Sequence, residues 1–73
     1  MVKWNKENGI WTYRNGTNKN ALWVGTNNKV YLTFAGIKHV ISEHKTQKQA
    51  NLKLKKCLNA EPFDIFLGVL NGI

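Results

Sequence analysis

The chain has 73 residues and a formal net charge of +7 at pH 7. A chain this short forms one small core and has no room for a deep active-site cleft. Its hydrophobic fraction of 42% argues against disorder, and its charge predicts an anionic partner such as nucleic acid, with an acidic protein as the alternative.

The polar N-terminus and the cysteine content predict a cytoplasmic setting. The opening residues MVKWNKENG include no apolar segment of the signal-peptide kind. No apolar run approaches the ~20 residues that cross a bilayer, so we expect no membrane partner. Cys57 is the only cysteine, which excludes an intrachain disulfide and a cysteine-based zinc site. We expect 1–73 to form one small domain, with 1–8 as a flexible or loosely packed N-terminal segment.

The first half of the chain predicts a three-stranded antiparallel meander. Segments 9–14, 21–25 and 29–36 are rich in β-formers and are separated by turn clusters. The first turn cluster begins with Asn15-Gly16, a strong hairpin signal. In 29–36 the alternating pattern predicts two faces. One face carries Val30, Leu32 and Phe34, and the other carries Tyr31, Thr33 and Ala35.

The next segment, 37–45, fits two kinds of element. Four of its residues match helical spacing: Ile37, Val40, Ile41 and His44. Three of them are β-branched, however, and suit a strand equally well. A helix beginning at residue 37 would run out of phase with the apolar side of the helix that follows, so we favour a fourth strand here.

A lysine-rich amphipathic helix is predicted over 46–59. It starts with a capping box, because the Thr46 hydroxyl can accept from the amide of Gln49 while the glutamine side chain reaches back. One side of this helix is apolar and should pack on the sheet: Ala50, Leu54, Cys57 and Leu58. The opposite side is basic, with Leu52 among Lys45, Lys48, Lys55 and Lys56.

The tail predicts a short helix that is apolar nearly all round. Pro62 suits a first helical position, and Asn71-Gly72 suits a C-cap. A helix this apolar must be covered by its own core or by another chain. The predicted fold class is therefore α+β: a small antiparallel sheet of three or four strands packed on one amphipathic helix, with a short apolar C-terminal helix.

The order of strands followed by a threonine-capped, lysine-rich helix is similar in outline to the integrase arm-binding DNA domains. The resemblance covers about residues 10–58 and rests on the turns and the capping box. It implies a three-stranded sheet that enters the major groove of DNA. The apolar tail has no counterpart in that outline.

The leading functional hypothesis is a small nucleic-acid-binding protein, with DNA and RNA both open. Arg14, the only arginine, stands beside a predicted hairpin turn, and arginine is the commonest base or phosphate contact. Trp4, Trp23 and Tyr31 are candidates to stack on bases. The predicted nucleic-acid-binding residues are Arg14, Lys19, Lys29, Lys45, Lys48, Lys55, Lys56 and Trp4.

Two alternatives stay open. The first is a protein-interaction module or inhibitor, with a homodimer as one form of it. Its interface would consist of a lone leucine on the lysine-rich helix and the apolar C-terminal segment: Leu52, Phe63, Phe66, Leu67 and Leu70. The remote alternative is a small ribonuclease-like toxin that uses His39 or His44 as acid or base. No nucleophile, metal or cofactor motif accompanies these histidines, so we expect no catalytic residue, no metal and no cofactor.

Overall fold

The computed structural model describes residues 3–71. Five strands are followed by two helices. They are β1 (Asn5–Glu7), β2 (Ile10–Asn15), β3 (Asn18–Val24), β4 (Lys29–Phe34), β5 (Ile37–Glu43), α1 (Gln47–Cys57) and α2 (Pro62–Leu70). The strands form one antiparallel sheet in the order β1-β2-β3-β4-β5, so each strand pairs with its neighbours in the chain.

The number of strands corrects our prediction. The α+β class and the antiparallel sheet are confirmed, but three or four strands is wrong because the sheet has five. The additional strand is β1, which runs from Asn5 opposite Thr12 to Glu7 opposite Ile10. Asn8-Gly9 forms the turn, with positive φ at both residues. A two-residue hairpin turn of this kind favours Asn-Gly, which explains the extra strand.

Segment 37–43 is a strand, β5, and its ambiguous pattern has a physical cause. Val30 lies opposite Ser42 while Tyr31 lies opposite Val40, so the pairing contains a bulge with Ile41 as the extra residue. Ile41 packs against the core. Because a bulge interrupts strict alternation, the apolar residues of this strand can match helical spacing.

Both helices pack on one face of the sheet and close a small core. Seven apolar residues are buried there. They are Leu22, Val30 and Leu32 from the sheet, Ala50, Leu54 and Cys57 from α1, and Ile65 from α2. Fully burying an apolar side chain of leucine size contributes ~1.5–3 kcal/mol. The predicted apolar side of α1 is confirmed, with Leu58 half-buried beside it.

The start of α1 follows the predicted capping chemistry in part. The Thr46 hydroxyl accepts from the Gln49 amide at 3.1 Å, as expected. The Gln49 side chain accepts from the Lys45 amide at 3.2 Å, one residue before the cap. The helix ends at Cys57 with Leu58 as its C-cap, so it is shorter than the predicted 46–59.

The tail forms α2, which begins with Pro62 in its first turn as predicted. Pro62 and Ile65 are buried, and Phe66 stacks on Phe34 with ring centroids 4.7 Å apart. Asn71 is the C-cap residue. Gly72, the other half of the predicted cap, lies outside the described residues.

Trp4 links the start of the chain to the connection between the helices. Its indole N–H donates to the Ala60 carbonyl at 2.8 Å. The ring meets Tyr13 edge-on, with centroids 5.4 Å apart. A buried indole usually finds such an acceptor for its N–H, and here the bond holds the first residues against the helix layer.

Candidate nucleic-acid interface

The sheet has a second face, turned away from the helices, which we call the open face. Side chains alternate along a strand. Because Leu22, Val30 and Leu32 point into the core, their strand neighbours point outward. By the pairing across the sheet, the open face comprises Asn5, Glu7, Ile10, Thr12, Arg14, Lys19, Ala21, Trp23, Lys29, Tyr31, Thr33, Lys38, Val40 and Glu43.

A stacked aromatic pair lies at the centre of the open face. Trp23 on β3 is directly opposite Tyr31 on β4. Their ring centroids are 5.4 Å apart, and the planes meet at 22°. Both side chains are half-buried, so part of each ring remains accessible to solvent.

Three neighbours fix the position of the Tyr31 ring. Its hydroxyl accepts from Asn27 Nδ2 at 2.7 Å. The ring lies against Gly25, where an added Cβ would come within 2.8 Å of the Tyr31 ring carbon Cε2. The Lys38 ammonium lies 5.1 Å from the ring centroid, in cation–π contact. The pair is therefore held in place before any ligand arrives.

The aromatic pair belongs to an apolar row that crosses the open face. Ile10 and Val40 are 39% and 44% exposed, and Val40 lies directly opposite Tyr31. Isolated exposed apolar residues are common on protein surfaces, but a contiguous row is typical of a binding surface.

Basic side chains border this apolar row. Arg14 and Lys19 face each other across the β2–β3 hairpin, and both are exposed. Lys38 is exposed on β5. Lys29 pairs with Glu43 at 3.7 Å. An exposed ion pair of this kind contributes little to stability, so an anionic ligand could compete for Lys29 at low cost.

Two carboxylates lie near the cations of the open face: Glu43, which pairs with Lys29, and Glu7. Glu7 accepts from the Thr12 hydroxyl at 2.6 Å. That hydrogen bond lowers the pKa of the Glu7 carboxyl, and the charges of Lys19 and Arg14 lower it further. The side chain therefore stays ionised to more acidic pH than an isolated glutamate. Part of this effect comes from the positive electrostatic potential of Arg14 and Lys19.

No protein-family model matches the chain, and no curated protein or solved structure shows significant similarity to it. The outline resemblance to integrase arm-binding domains therefore remains a prediction. Within residues 3–71, no helix is both long enough and apolar enough to span a membrane.

The predicted nucleic-acid-binding residues divide into two groups. Arg14, Lys19 and Lys29 lie together on the open face. Lys48, Lys55 and Lys56 are exposed on α1, on the helix side of the sheet. Lys45 is exposed just before α1, and its carbonyl accepts from Asn28 Nδ2 beside the start of β4. One straight nucleic-acid strand cannot contact the open-face cations and the α1 lysines together, because the sheet and the core lie between them.

The fold separates the three aromatic residues that the sequence named as stacking candidates, Trp4, Trp23 and Tyr31. Trp4 is half-buried and uses its N–H within the chain, so it lies outside the open face. Trp23 and Tyr31 lie on that face, together with Lys38, which is not among the residues predicted from the sequence. Alternation along β4 already placed Tyr31 opposite the core residues, and this was the available signal. Lys38 had no such signal, because the bulge obscures the alternation of β5.

The two histidines make unrelated contacts. His39 packs edge-on against Phe66, with centroids 5.1 Å apart. His44 Nε2 lies 2.8 Å from the Ser42 hydroxyl. No acidic side chain in residues 3–71 hydrogen-bonds to this imidazole, although a third group normally orients a catalytic base. Those residues also include no cluster of three or more His, Cys, Asp or Glu able to hold a metal ion.

The predicted protein-interface residues are mostly exposed. Leu52, Phe63, Leu67 and Leu70 are 52%, 55%, 38% and 62% exposed. Phe66 is half-buried against Phe34. The exposed residues of α2 form one side of that helix, while Leu52 lies on α1. Their role as an interface remains a prediction.

Proposed function

We propose that this protein binds single-stranded nucleic acid through the open face of its sheet. The observation that carries this proposal is the stacked Trp23–Tyr31 pair, accessible on a sheet face bordered by basic side chains. Proteins that bind single strands combine aromatic platforms for bases with cations that follow the phosphates. The open face offers both within one surface.

A purely structural role explains the aromatic pair only in part. Cross-strand aromatic pairs stabilise sheets by ~0.5–1.5 kcal/mol beyond their burial. That role does not require Lys38 over the Tyr31 ring or Arg14 opposite Lys19. Cations placed beside accessible rings favour a ligand that is both planar and anionic.

The flat open face favours unpaired bases over a duplex. Bases inside a duplex are stacked on each other and present only their edges. A half-buried ring pair on a sheet presents its face, which suits an unstacked base of single-stranded DNA or RNA. The lysines near α1 then act at longer range, by adding to the positive field that attracts the strand.

We propose the cytoplasm as the setting. Cys57 is a free, buried thiol, and burial raises its pKa, which keeps it protonated and unreactive. A lone thiol of this kind fits a reducing compartment.

The test compares two charge reversals on opposite sides of the molecule. Lys38→Glu and Lys55→Glu each change the net charge equally, and both residues are exposed. A labelled single-stranded oligonucleotide is titrated with each variant, with fluorescence anisotropy as the readout, over a range of salt concentrations. We expect Lys38→Glu to weaken binding several-fold more than Lys55→Glu and to reduce the salt slope by about 1.

Two outcomes would overturn the proposal. Equal losses in both variants would mean that only the overall charge matters and that the open face has no special role. Absence of binding by the unmodified protein at low salt would exclude nucleic-acid binding of this kind altogether.

A further inference from the structure

A second concave surface lies on the other side of the β2–β3 hairpin from Arg14 and Lys19. It is a groove of about 220 Å³ between the hairpin end and the start of α2. Its principal lining residues are Tyr13, Asn15, Asn18, Asn20, Phe34 and Phe63. Unlike the open face, it lies on the helix side of the sheet.

Asn20 places a buried carboxamide in this groove. The residue is only 4% exposed, and its Nδ2 donates to the Tyr13 carbonyl at 3.3 Å. No hydrogen bond within residues 3–71 uses its Oδ1. The oxygen is not fully enclosed, and Asn20 lines the groove, so its Oδ1 can accept a hydrogen bond from a ligand there. A carboxamide fixed on one side by its bond to Tyr13 offers a preorganised acceptor for a ligand donor.

The walls of the groove are aromatic. The rings of Phe34 and Phe63 have centroids 6.2 Å apart and planes tilted by 42°. Tyr13 forms part of the lining on β2 and is supported from behind by Trp4. Aromatic walls with amide groups between them suit a flat heterocycle that carries hydrogen-bonding atoms on its edge.

The charges of the groove select against a phosphate. None of its lining residues is lysine or arginine, and Glu61 contributes a carboxylate. A carboxylate accepts from an exocyclic amine, and an asparagine amide can both donate to and accept from a base edge. The volume of about 220 Å³ is below the ~300–1,000 Å³ of sites for drug-sized ligands, so the occupant is one small ring system.

We propose that this groove binds one unpaired nucleobase. The inference rests on the proposed function for the source of the base, a strand held on the open face. Arg14 and Lys19 alternate along the hairpin with groove residues such as Tyr13 and Asn20. A strand whose phosphates contact Arg14 and Lys19 can pass round the hairpin end and place its next base in the groove.

The experiment uses free nucleosides, which carry no phosphate and therefore test the groove without the open face. Adenosine, cytidine, guanosine and uridine are titrated separately into the ¹⁵N-labelled full chain, and the asparagine side-chain amide signals are followed by NMR. We expect saturable shifts at Asn18 and Asn20 with at least one nucleoside, and stronger binding for bases that carry an exocyclic amine.

Two variants and two matched controls locate the site. Asn18→Ala and Phe63→Ala should weaken nucleoside binding by roughly 10-fold, because each removes a base contact. Both residues are exposed, so the fold should persist. Asn59→Ala and Leu70→Ala change exposed residues outside the groove lining and should bind as the unmodified protein does.

The outcomes separate this inference from the proposed function. Oligonucleotide binding without nucleoside shifts at the groove would overturn the inference and leave the open-face proposal standing. Nucleoside shifts without oligonucleotide binding would support the groove and overturn the open-face proposal. Equal losses in Asn18→Ala and Asn59→Ala would also contradict a base site in the groove.

Discussion

The two basic surfaces of this molecule differ in what accompanies their charge. The side of α1 carries Lys48, Lys55 and Lys56 with Leu52 as its one large apolar residue. The open face carries as many free cations, Arg14, Lys19 and Lys38, and also includes the fixed Trp23–Tyr31 pair. A lysine-rich surface attracts an anionic ligand at long range. Ordered aromatic rings beside cations can also hold that ligand in a defined position.

Ordering is the physical reason for this difference. A lysine side chain has about 2 kcal/mol of rotamer entropy, part of which is lost when it is fixed on a ligand. Contacts with Asn27, Gly25 and Lys38 already restrict the rotamers of the Tyr31 side chain in the free protein. Binding to a preorganised group costs less, so each contact on the open face should contribute more free energy than a contact on α1.

The largest expected effect comes from removing the ring at the centre of the open face. Tyr31→Ala should weaken binding of a single-stranded oligonucleotide by ~1–3 kcal/mol, because one base loses its stacking partner. Anisotropy titration at fixed salt measures the loss. If the variant binds as tightly as the unmodified protein, the open face is not the nucleic-acid-binding surface.

Two further substitutions serve as controls for the Tyr31→Ala result. Tyr31→Phe keeps the ring and loses the hydrogen bond from Asn27, so most of the affinity should remain. Gly25→Ala keeps the ring but adds a methyl group 2.8 Å from its Cε2 atom, which should displace the ring and give an intermediate loss.

A change at the start of α1 tests the opposite surface. Thr46→Ala removes the side-chain oxygen that accepts from the Gln49 amide and should lower the free energy of unfolding by about 1 kcal/mol. Urea unfolding measures this loss. Oligonucleotide affinity should stay unchanged under conditions where the variant is folded, because the open face is not touched.

Thr26→Ala is the matched control, since Thr26 is exposed and its hydroxyl makes no hydrogen bond within residues 3–71. Its unfolding midpoint should match that of the unmodified protein. Loss of oligonucleotide binding in folded Thr46→Ala alone would shift the site toward α1.

The smallest expected effect is a pH dependence at Glu7. Its pKa is lowered in the folded protein, chiefly by the Thr12 hydrogen bond and then by Lys19 and Arg14. The stabilisation from the ionised carboxylate is therefore complete above the unfolded pKa near 4.5. It is lost as the pH falls through the lower folded value.

Urea unfolding at pH 6 and at acidic pH, for the unmodified protein and for Glu7→Gln, measures this contribution. The difference between the two proteins should shrink as the pH is lowered. A difference that grows on acidification would contradict the assigned direction of the pKa shift.

Much of the fold could be predicted from local pattern. The alternation of β4 and the threonine cap of α1 follow from spacing and side-chain chemistry alone, and the structure agrees with both. The turn at Asn8-Gly9 has the same dipeptide signal as Asn15-Gly16. Strand β1 could therefore have been predicted from the sequence. The bulge at Ile41 was not, because it depends on how β4 and β5 align.

The candidate site was harder to predict because it depends on contacts between distant residues. The position of Arg14 beside a hairpin turn is readable from the sequence, but its pairing with an accessible aromatic row is not. Trp4 and Trp23 look alike in sequence. Only the acceptor at Ala60, far along the chain, distinguishes the indole that packs against the helices from the one that faces outward.

The unbroken strand order has a consequence for how the molecule folds. Each strand pairs with its neighbours in the chain, so the sheet can assemble from short loop closures with small entropic cost, a feature of fast-folding topologies. The bond from Trp4 to Ala60 joins residues 56 positions apart. It requires both the sheet edge and the helix layer, and we expect it to be among the last contacts to form.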